Sequence, residues 1–355
     1  MSEQLPLSAR VGEPVEPPLP RHPDVAVWRT ATPADIDAIH AVMVAAEKID
    51  HPTWTSPREE VADTFDLPHI DPSRDTIIGW HADGRPVAFG SAFLHPAREG
   101  TLTVHLFGAV LPELWRRGIG TQVQRWLVAR ALQQLAEVAP TLPALFGRGE
   151  WEANLKVYAD EVNLGIPRLA EQAGFAPERW FTSMLRDLAG EEAEAVPTLA
   201  APDGMRVVEY THDRDEDARL ARNDAFRDHW GSLPSAPETW AKFVGGEFFR
   251  ADLSRLVLDA DGAIAAFCLA SVNEDDWESL GASNAYIDLI GVVRAHRRRG
   301  LAPLAISGTL QAIADAGLEK AVLDVDTASP TGAHTLYEGL GFRATERSVA
   351  FVRHV

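Results

Sequence analysis

One stretch, residues 286–302, restricts more than any other how this chain of 355 residues can fold. Its first half is β-branched, aromatic or aliphatic apart from the acid Asp288, which predicts a mostly buried strand. A run of arginines then leads to Gly300, and the apolar spacing from Leu301 onward predicts a helix. A glycine-containing turn at the start of a helix presents unpaired N–H groups and the positive end of the helix dipole. The stretch therefore predicts an anion site that suits phosphates.

This turn carries a known motif. Arg297-x-x-Gly300-x-Ala302 resembles the pyrophosphate-binding signature of the GNAT superfamily of acetyl-CoA-dependent N-acetyltransferases. Residues 321–326 have the composition of a following strand, and residues 333–342 resemble the last helix of that superfamily with the Gly-Phe turn that leaves it. Either motif alone is weak, but the two in this order are specific. The resemblance implies acetyl-CoA as the co-substrate.

The plan of the chain occurs twice. An order of strand, helices, hairpin, strand, helix, strand, helix and hairpin is followed by the same order again, which indicates a tandem repeat. We predict a flexible tail at 1–24, a first GNAT-like domain at 25–188, a linker at 189–203 and a second GNAT-like domain at 204–355. The expected fold class is α/β (α+β): each domain is a central mixed, mostly antiparallel twisted sheet flanked by helices. Among tandem members, the overall plan is similar to that of the mycothiol synthases.

Composition excludes several classes of function. A net charge of −19 argues against nucleic acid or an anionic membrane as a partner. The sequence has no membrane-length apolar run and no secretion signal at its start, so we expect a cytoplasmic protein. The single cysteine, Cys268, excludes an internal disulfide and Cys-rich metal sites. We predict no metal site, because His229 and His296 have no partners at ligand spacing.

Two residues are the candidates for proton transfer. Tyr337 lies four residues before Gly341, where the superfamily commonly keeps a tyrosine near the sulfur of CoA, so the resemblance implies an acid that protonates the thiolate. Superfamily members that use a base place it twelve or fourteen residues before the signature glycine, and here these positions hold Asp288 and Tyr286. We take Asp288 as the base. The alternatives are a core tyrosine and a buried acid paired to a basic neighbour.

The resemblance also implies a set of cofactor-binding residues. Arg298 and Arg299 can add positive charge near the phosphates, although a solvated basic turn is an equal alternative. Ser329 is expected as the N-cap of the last helix. The full set that we predict to bind the cofactor is Ile290, Val292, Val293, Arg297, Arg298, Arg299, Gly300, Leu301, Ala302 and Ser329.

The acceptor side should be formed by the early part of the second copy. Asp228, His229 and Trp230 can line a pocket for a cationic group, or they can simply end a helix that packs on the core. Asp324 and Asp326 flank Val325 and face one way, so they can bind an amine or cap a loop. We predict Asp228, His229, Trp230, Tyr286 and Asp326 as substrate-binding residues.

The first copy departs from the superfamily pattern. It keeps Gly118 and Gly120, but Trp115 stands where Gln or Arg is usual, and Ala170 stands where the second copy has Tyr337. Counting back from Gly118 places two apolar residues at the base positions, with a histidine between them that should point to the other side; these are Val104, Leu106 and His105. We therefore expect a degenerate first domain.

The sequence predicts an N-acetyltransferase that acts on a primary amine of a small molecule in its C-terminal domain. We expect direct attack by the amine, because Cys268 lies outside the motif strand and is not placed to carry an acetyl group. The alternative is a non-catalytic CoA-binding module that senses or scaffolds. The acceptor, the length of the acyl group and the choice between a monomer and a homodimer stay open.

Overall fold

The computed structural model describes residues 5–51, 53–145, 150–191, 193–327 and 333–355, and these form two compact units. Unit 1 contains the described residues up to Arg179 together with Ser348–Val355, and unit 2 is Trp180–Arg347. Each unit has a mixed sheet flanked by helices, so the predicted α/β class is confirmed.

Unit 1 contains six α-helices and five complete strands among its described residues. In its described part the helices are α1 (Leu7–Val11), α2 (Ile36–Asp50), α3 (Arg58–Asp66), α4 (Pro72–Asp75), α5 (Ile119–Val138) and α6 (Gly165–Gln172). The strands that lie wholly in this unit are β1 (Val27–Thr30), β2 (Thr76–Trp80), β3 (Pro86–Leu94), β4 (Thr101–Val110) and β5 (Glu152–Asp160). They are neighbours in that order, and all pairs are antiparallel except β4–β5.

Unit 2 repeats this arrangement. Its described helices are α7 (Asp215–Ala225), α8 (Pro237–Gly245), α9 (Asp276–Leu280), α10 (Leu301–Asp315) and α11 (Ala333–Gly339). Its strands come from β6 (Ala176–Asp187), β7 (Arg206–Glu209), β8 (Arg255–Leu258), β9 (Ile264–Ser271), β10 (Asn284–Val292), β11 (Lys320–Asp326) and β12 (Arg343–His354). The order is β7-β8-β9-β10-β11-β6, and only the pair β10–β11 is parallel.

The ends of the two units differ from the predicted boundaries. β11 pairs with residues 181–187 of β6, so this segment belongs to unit 2 although we predicted it in the first domain. β5 pairs with residues 348–354 of β12, so this end of the last strand belongs to unit 1. A strand's residue pattern indicates that it is buried in a sheet, but it does not identify the sheet. Residues 193–203 of the predicted linker contain no helix or strand.

The prediction of a flexible N-terminal tail is wrong for its described residues. α1 packs on unit 1 with Leu7 only 3% exposed. The Arg10 guanidinium donates to the backbone carbonyls of Trp151 and Val355, which fixes the segment at a second point. The proline-rich composition of this segment was a poor guide, because one buried leucine and one arginine with two acceptors supply the contacts that order it.

Two apolar clusters cover opposite faces of the unit 2 sheet. One packs α10 on β9, β10 and β11, and it includes Ile287, Cys268 and Tyr337. The other packs α7 and α8 on β8 and β9, and it includes Phe267 and Leu269. A side chain of β10 therefore points either to the α10 face or to the α7 face.

The parallel strands of unit 2 separate along their length. β10 and β11 pair only from Asn284↔Lys320 to Tyr286↔Val322, although β10 continues to Val292. The two strands therefore splay apart next to the motif. It leaves the backbone of both strands unpaired on the sides that face each other, and the opening lies directly before the glycine turn.

A β-bulge interrupts β10 inside this opening. Ile287 pairs with Ala270 and Leu289 pairs with Leu269, so Asp288 is an extra residue that has no partner on β9. Ile287 faces α10 before the bulge, whereas Leu289 packs on the α7 side after it. β4 of unit 1 pairs with β3 without such a shift.

Candidate active site in unit 2

The glycine turn has the conformation that the motif requires. Gly300 caps α10 at a φ of 73°, and Arg298 also has a positive φ of 61°. The equivalent turn of unit 1 has the same pattern, with φ values of 64° at Arg116 and 97° at Gly118. Glycine adopts this left-handed region without the steric cost that a side chain brings. Both copies therefore fold the turn alike.

The unit 2 turn offers hydrogen-bond donors that nothing in the described structure uses. The amides of Arg298, Arg299 and Gly300 donate to no backbone or side-chain acceptor among the described residues. The first helical residues, Leu301 and Ala302, add N–H groups that have no carbonyl partner within a helix. A Cβ atom placed on Gly300 would meet no atom within 4 Å, so the backbone is open to an incoming ligand. These residues fit a pyrophosphate group.

Arg297, which we predicted to bind the cofactor, and Asp228, which we predicted to bind the substrate, form an ion pair with each other. The Arg297 guanidinium donates to Asp228 Oδ2 at 3.1 Å and to the carbonyl of Ala225 at 2.8 Å. Arg294 also pairs with Asp228, and its amide donates to Asp224 Oδ2 at 2.8 Å. Hydrogen bonds from Arg294 and then from Arg297 lower the pKa of Asp228. Asp228 therefore joins the end of α7 to the turn, and its carboxylate is neutralised there.

His229 and Trp230, which we also predicted to line the acceptor pocket, lie apart from each other. His229 lies against the ring of Phe226, with 4.8 Å between ring centroids. Trp230 instead lies 6.4 Å from the ring of Phe181, which pairs by register with Asp326 on β11. Trp230 and Asp326 therefore lie near the open end of β11, whereas His229 is beside α7.

The predicted cofactor residues of β10 lie on both faces of the sheet. Ile290 and Val292 pack against the α10 cluster, and Val293 packs against the α7 cluster. The bulge at Asp288 determines this assignment, because it reverses the faces of all residues that follow it. Ser329, the remaining predicted cofactor residue, lies outside the described residues.

Asp288 is the most perturbed acid of the site. Its Oδ1 accepts a hydrogen bond from the Ser271 hydroxyl at 3.1 Å, and its buried Oδ2 has no hydrogen-bond partner among the described residues. Removal from solvent raises the pKa of Asp288 to about 7, and the bond from Ser271 acts in the opposite direction. No ion pair to Asp288 occurs in the described part of the chain, so it is not the neutralised core acid of the alternative interpretation.

Tyr286 and Asp324 form a second polar pair in the opening. The Tyr286 hydroxyl donates to Asp324 Oδ2 at 2.7 Å, and the Ser183 hydroxyl donates to Asp324 Oδ1. Burial, followed by the charge of Asp324 and this hydrogen bond, raises the pKa of Tyr286 well above its usual value. Our predicted substrate residues include Asp326 and omit Asp324, although the sequence pattern places both side chains on the same face of β11.

Tyr337 lies on the α10 side of the opening. It is 8% exposed, and the edge of its ring meets Phe342 at 6.0 Å between centroids. Burial, with a smaller contribution from the Cys268 thiol, raises the pKa of the Tyr337 hydroxyl. The hydroxyl has no hydrogen-bond partner among the described residues. A phenol in this environment keeps its proton and has it available for an incoming acceptor.

The described part of unit 1 has no counterpart of Tyr337 or Asp288, although one of our two predictions for these positions was wrong. Ala170 is buried in the place of Tyr337, and the Trp115 indole donates to the carbonyl of Val110 at 2.6 Å. Our assignment of Val104 and Leu106 to the base positions was wrong. Because β4 has no bulge, the residue that pairs like Tyr286 is His105, opposite Phe93.

His105 is nevertheless poorly suited to take up a proton. It stacks on Phe93 at 5.2 Å and on Tyr158 at 6.3 Å between ring centroids. Burial, followed by the positive charge of Lys156, lowers the pKa of His105 to about 3. The imidazole is therefore neutral over the ordinary pH range and is a very weak base.

The described residues contain neither a candidate metal site nor a candidate membrane span. They hold no group of three His, Cys, Asp or Glu side chains arranged to bind a metal ion. No helix among them is both long and apolar enough to cross a membrane.

Known proteins resemble this chain in sequence and in fold. The family model for the GNAT acetyltransferases matches residues 41–144 and 216–342, which is more than half of the chain. A mycothiol acetyltransferase of Pseudarthrobacter chlorophenolicus is 29% identical over 200 residues, which span 56% of this chain and 59% of that relative.

Two solved structures have the same fold over most of their length. A GCN5-related N-acetyltransferase from Sphaerobacter thermophilus has a TM-score of 0.66 at 23% identity, with 92% of this chain and 95% of that chain covered. A tandem GNAT protein from the clavulanic acid biosynthesis pathway has a TM-score of 0.59 at 16% identity, with 92% and 98% covered. Two matches of the family model, one in each unit, and tandem structural relatives agree with the repeat in the sequence. The chain belongs to the GNAT family of acetyltransferases, as a tandem member similar to mycothiol synthase.

Proposed function

We propose that unit 2 is an acetyl-CoA-dependent N-acetyltransferase that acts on a primary amine of a small molecule. The observation that carries this proposal is the separation of β10 and β11 after Tyr286↔Val322. The opening has unused amides of the glycine turn at one end, Asp288 on one side and Tyr337 on the other. A binding site for the phosphates of the cofactor, a base for the amine and an acid for the leaving thiolate are groups that acyl transfer from a CoA thioester to an amine uses.

The turn and β10 are the proposed binding surface for acetyl-CoA. The amides of residues 298–302 would hold the pyrophosphate, and Arg298 and Arg299 would add positive charge beside it. Ile290 and Val292 would line the path toward the thioester on the α10 face. When bound, acetyl-CoA supplies an activated acetyl group and a thiol leaving group.

Asp288 is the proposed base. An amine at physiological pH carries a proton that it must lose before its nitrogen can attack. The buried Oδ2 has no partner, and a pKa of about 7 allows it to accept this proton near neutral pH. The new C–N bond then forms as the C–S bond breaks, with no acetyl group carried on Cys268, which is fully buried and has a pKa raised to about 12.

Tyr337 is the proposed acid. Its Oη holds a proton firmly because burial raises the pKa, and it gives this proton to the sulfur that leaves. The ammonium nitrogen loses two protons on its way to the amide. Asp288 takes the first and releases it to solvent, and the second replaces the proton that Tyr337 gives to sulfur, so the products are the amide, CoA as its free thiol and one proton.

Release of free thiol from acetyl-CoA, measured across a panel of primary amines, tests the proposal. We expect release that depends on both substrates and an acetylated amine as the second product. Binding of acetyl-CoA without turnover of any amine would favour the alternative, a non-catalytic CoA-binding module.

A further inference from the structure

The α7 face of the opening has carboxylates without a cationic partner. Asp324 is exposed, and among the described residues its two oxygens accept hydrogen bonds only from the hydroxyls of Ser183 and Tyr286. Asp288, two residues along β10 from Tyr286, accepts one hydroxyl and buries a bare Oδ2. No basic side chain of the described chain pairs with either acid, and residues 328–332, which are not described, include no Lys, Arg or His.

This arrangement differs from the neighbouring acids of unit 2. Asp228 is paired with Arg294 and Arg297, and Asp187 lies 3.2 Å from Arg343. Hydroxyl donors orient a carboxylate, but they do not neutralise its charge. Two unneutralised acids on one recess, one of them with a buried oxygen that has no donor, leave room for positive charge from a ligand.

The same positions of unit 1 have another chemistry. His105 occupies the register of Tyr286 and pairs with Lys156, just as Tyr286 pairs with Val322. Tyr158 follows Lys156 by two residues, so it occupies the register of Asp324. The acidic recess is therefore a property of unit 2 and not of the fold.

We propose that the acceptor carries two basic centres: one nitrogen lies at Asp288 and is acetylated, while a second cation is held by Asp324. This inference rests on the proposed function and narrows the acceptor to diamines and related compounds. Asp324 suits the second role because it lies at the exposed side of the recess, fixed by two hydroxyls, whereas Asp288 lies within the opening. A single-amine acceptor would leave one of the two charges without a partner.

Matched pairs of ligands test the inference without turnover. Isothermal titration calorimetry compares 1,4-diaminobutane with 4-amino-1-butanol, and 1,6-diaminohexane with 6-amino-1-hexanol, which exchange the second ammonium for a hydroxyl at nearly equal length. We expect at least one diamine to bind ~10-fold or more tightly than its amino alcohol, since a charged hydrogen bond is lost in the alcohol. Equal affinity in both pairs would overturn the inference.

Two variants localise the effect. Asp324→Asn should remove the preference for the diamine, whereas Asp261→Asn, which removes the same charge from an exposed hairpin turn, should keep it. A preference that survives in folded Asp324→Asn contradicts the role of Asp324. If Asp324→Asn does not fold, the wild-type comparison decides alone.

Turnover separates this inference from the proposed function. Acetylation of both members of each pair, with equal binding, would contradict the two-cation acceptor and leave the N-acetyltransferase in place. Selective binding of the diamine without acetylation of any amine would contradict the proposed function, and with it the acetylated nitrogen at Asp288.

Discussion

The β-bulge in β10 accounts both for the position of the Asp288 carboxylate and for the burial that raises its pKa. The extra residue turns the carboxylate to the α7 face, where Oδ2 is shielded from water and Ser271 is the one side chain that donates to it among the described residues. A raised pKa means that the acid is protonated below about pH 7 and ionised above it. An acid used as a base is therefore active on the alkaline side.

The pH profile of kcat/KM tests this role. We expect the rate to rise with pH through about 7, since only the ionised carboxylate accepts the proton of the amine. Asp288→Asn should lower kcat/KM by ~10²-fold and remove this limb. Ser271→Ala should move the limb to higher pH, because the hydrogen bond from Ser271 lowers the pKa of Asp288. A profile that stays flat between pH 5 and 9 in the wild type would contradict Asp288 as the base.

Tyr337→Phe separates catalysis from packing. The change keeps the ring against Phe342 and removes only the hydroxyl, so we expect kcat to fall by ~10²-fold with little change in acetyl-CoA affinity. Tyr210→Phe is the control, because Tyr210 is also buried in unit 2 and donates to Asp215 Oδ1 at 2.7 Å. It should cost about 1 kcal/mol of stability and leave kcat unchanged. Wild-type turnover of Tyr337→Phe, measured where chemistry limits the rate, would contradict the acid role and leave Tyr337 with a packing role only.

Among the secondary-structure elements, the sequence predicted the glycine turn before α10. It did not predict which residue of β4 occupies the register position of Tyr286 on β10. The glycine motif and the helix that follows depend on local preferences, so they could be identified from residues 297–302 alone. The equivalence of His105 and Tyr286 could not be counted back from the glycines, because a bulge adds one residue to β10 and none to β4. Likewise, nothing in residues 348–354 indicated that they would pair with β5.

Gly291 tests whether the close packing beside the bulge matters. A Cβ atom at this position would lie 2.2 Å from the ring of Phe267, and the ring is held in a buried cluster. We expect Gly291→Ala to destabilise unit 2 by ~1–3 kcal/mol through overpacking. Gly339→Ala meets no atom within 4 Å and should change stability little. Urea unfolding compares the two, and equal midpoints would contradict the tight packing of β10 on β9.

The two units of the molecule share one fold but differ in the side chains at the corresponding positions. Unit 1 keeps the turn with its positive φ angles, yet Ala170 cannot donate a proton and His105 is a very weak base. The N-terminal segment also reaches this turn, where the His22 ring lies 2.9 Å from the carbonyl of Arg117. We therefore expect one active site in the chain. We expect the first copy to have a structural role and not to transfer acetyl groups.

Two matched substitutions test this central claim most directly. Gly118→Glu and Gly300→Glu place the same acidic side chain at the same helix cap of each unit, both at a positive φ. Gly300→Ala measures the strain of a side chain without the charge, which we expect to cost about 1 kcal/mol. The measurement is acetyl-CoA-dependent amine acetylation by the folded variants. Our account predicts that Gly300→Glu loses turnover by ~10-fold or more, because a carboxylate repels the pyrophosphate, and that Gly118→Glu retains it. Loss of turnover in Gly118→Glu with wild-type turnover in Gly300→Glu would place the active site in unit 1 and contradict the account.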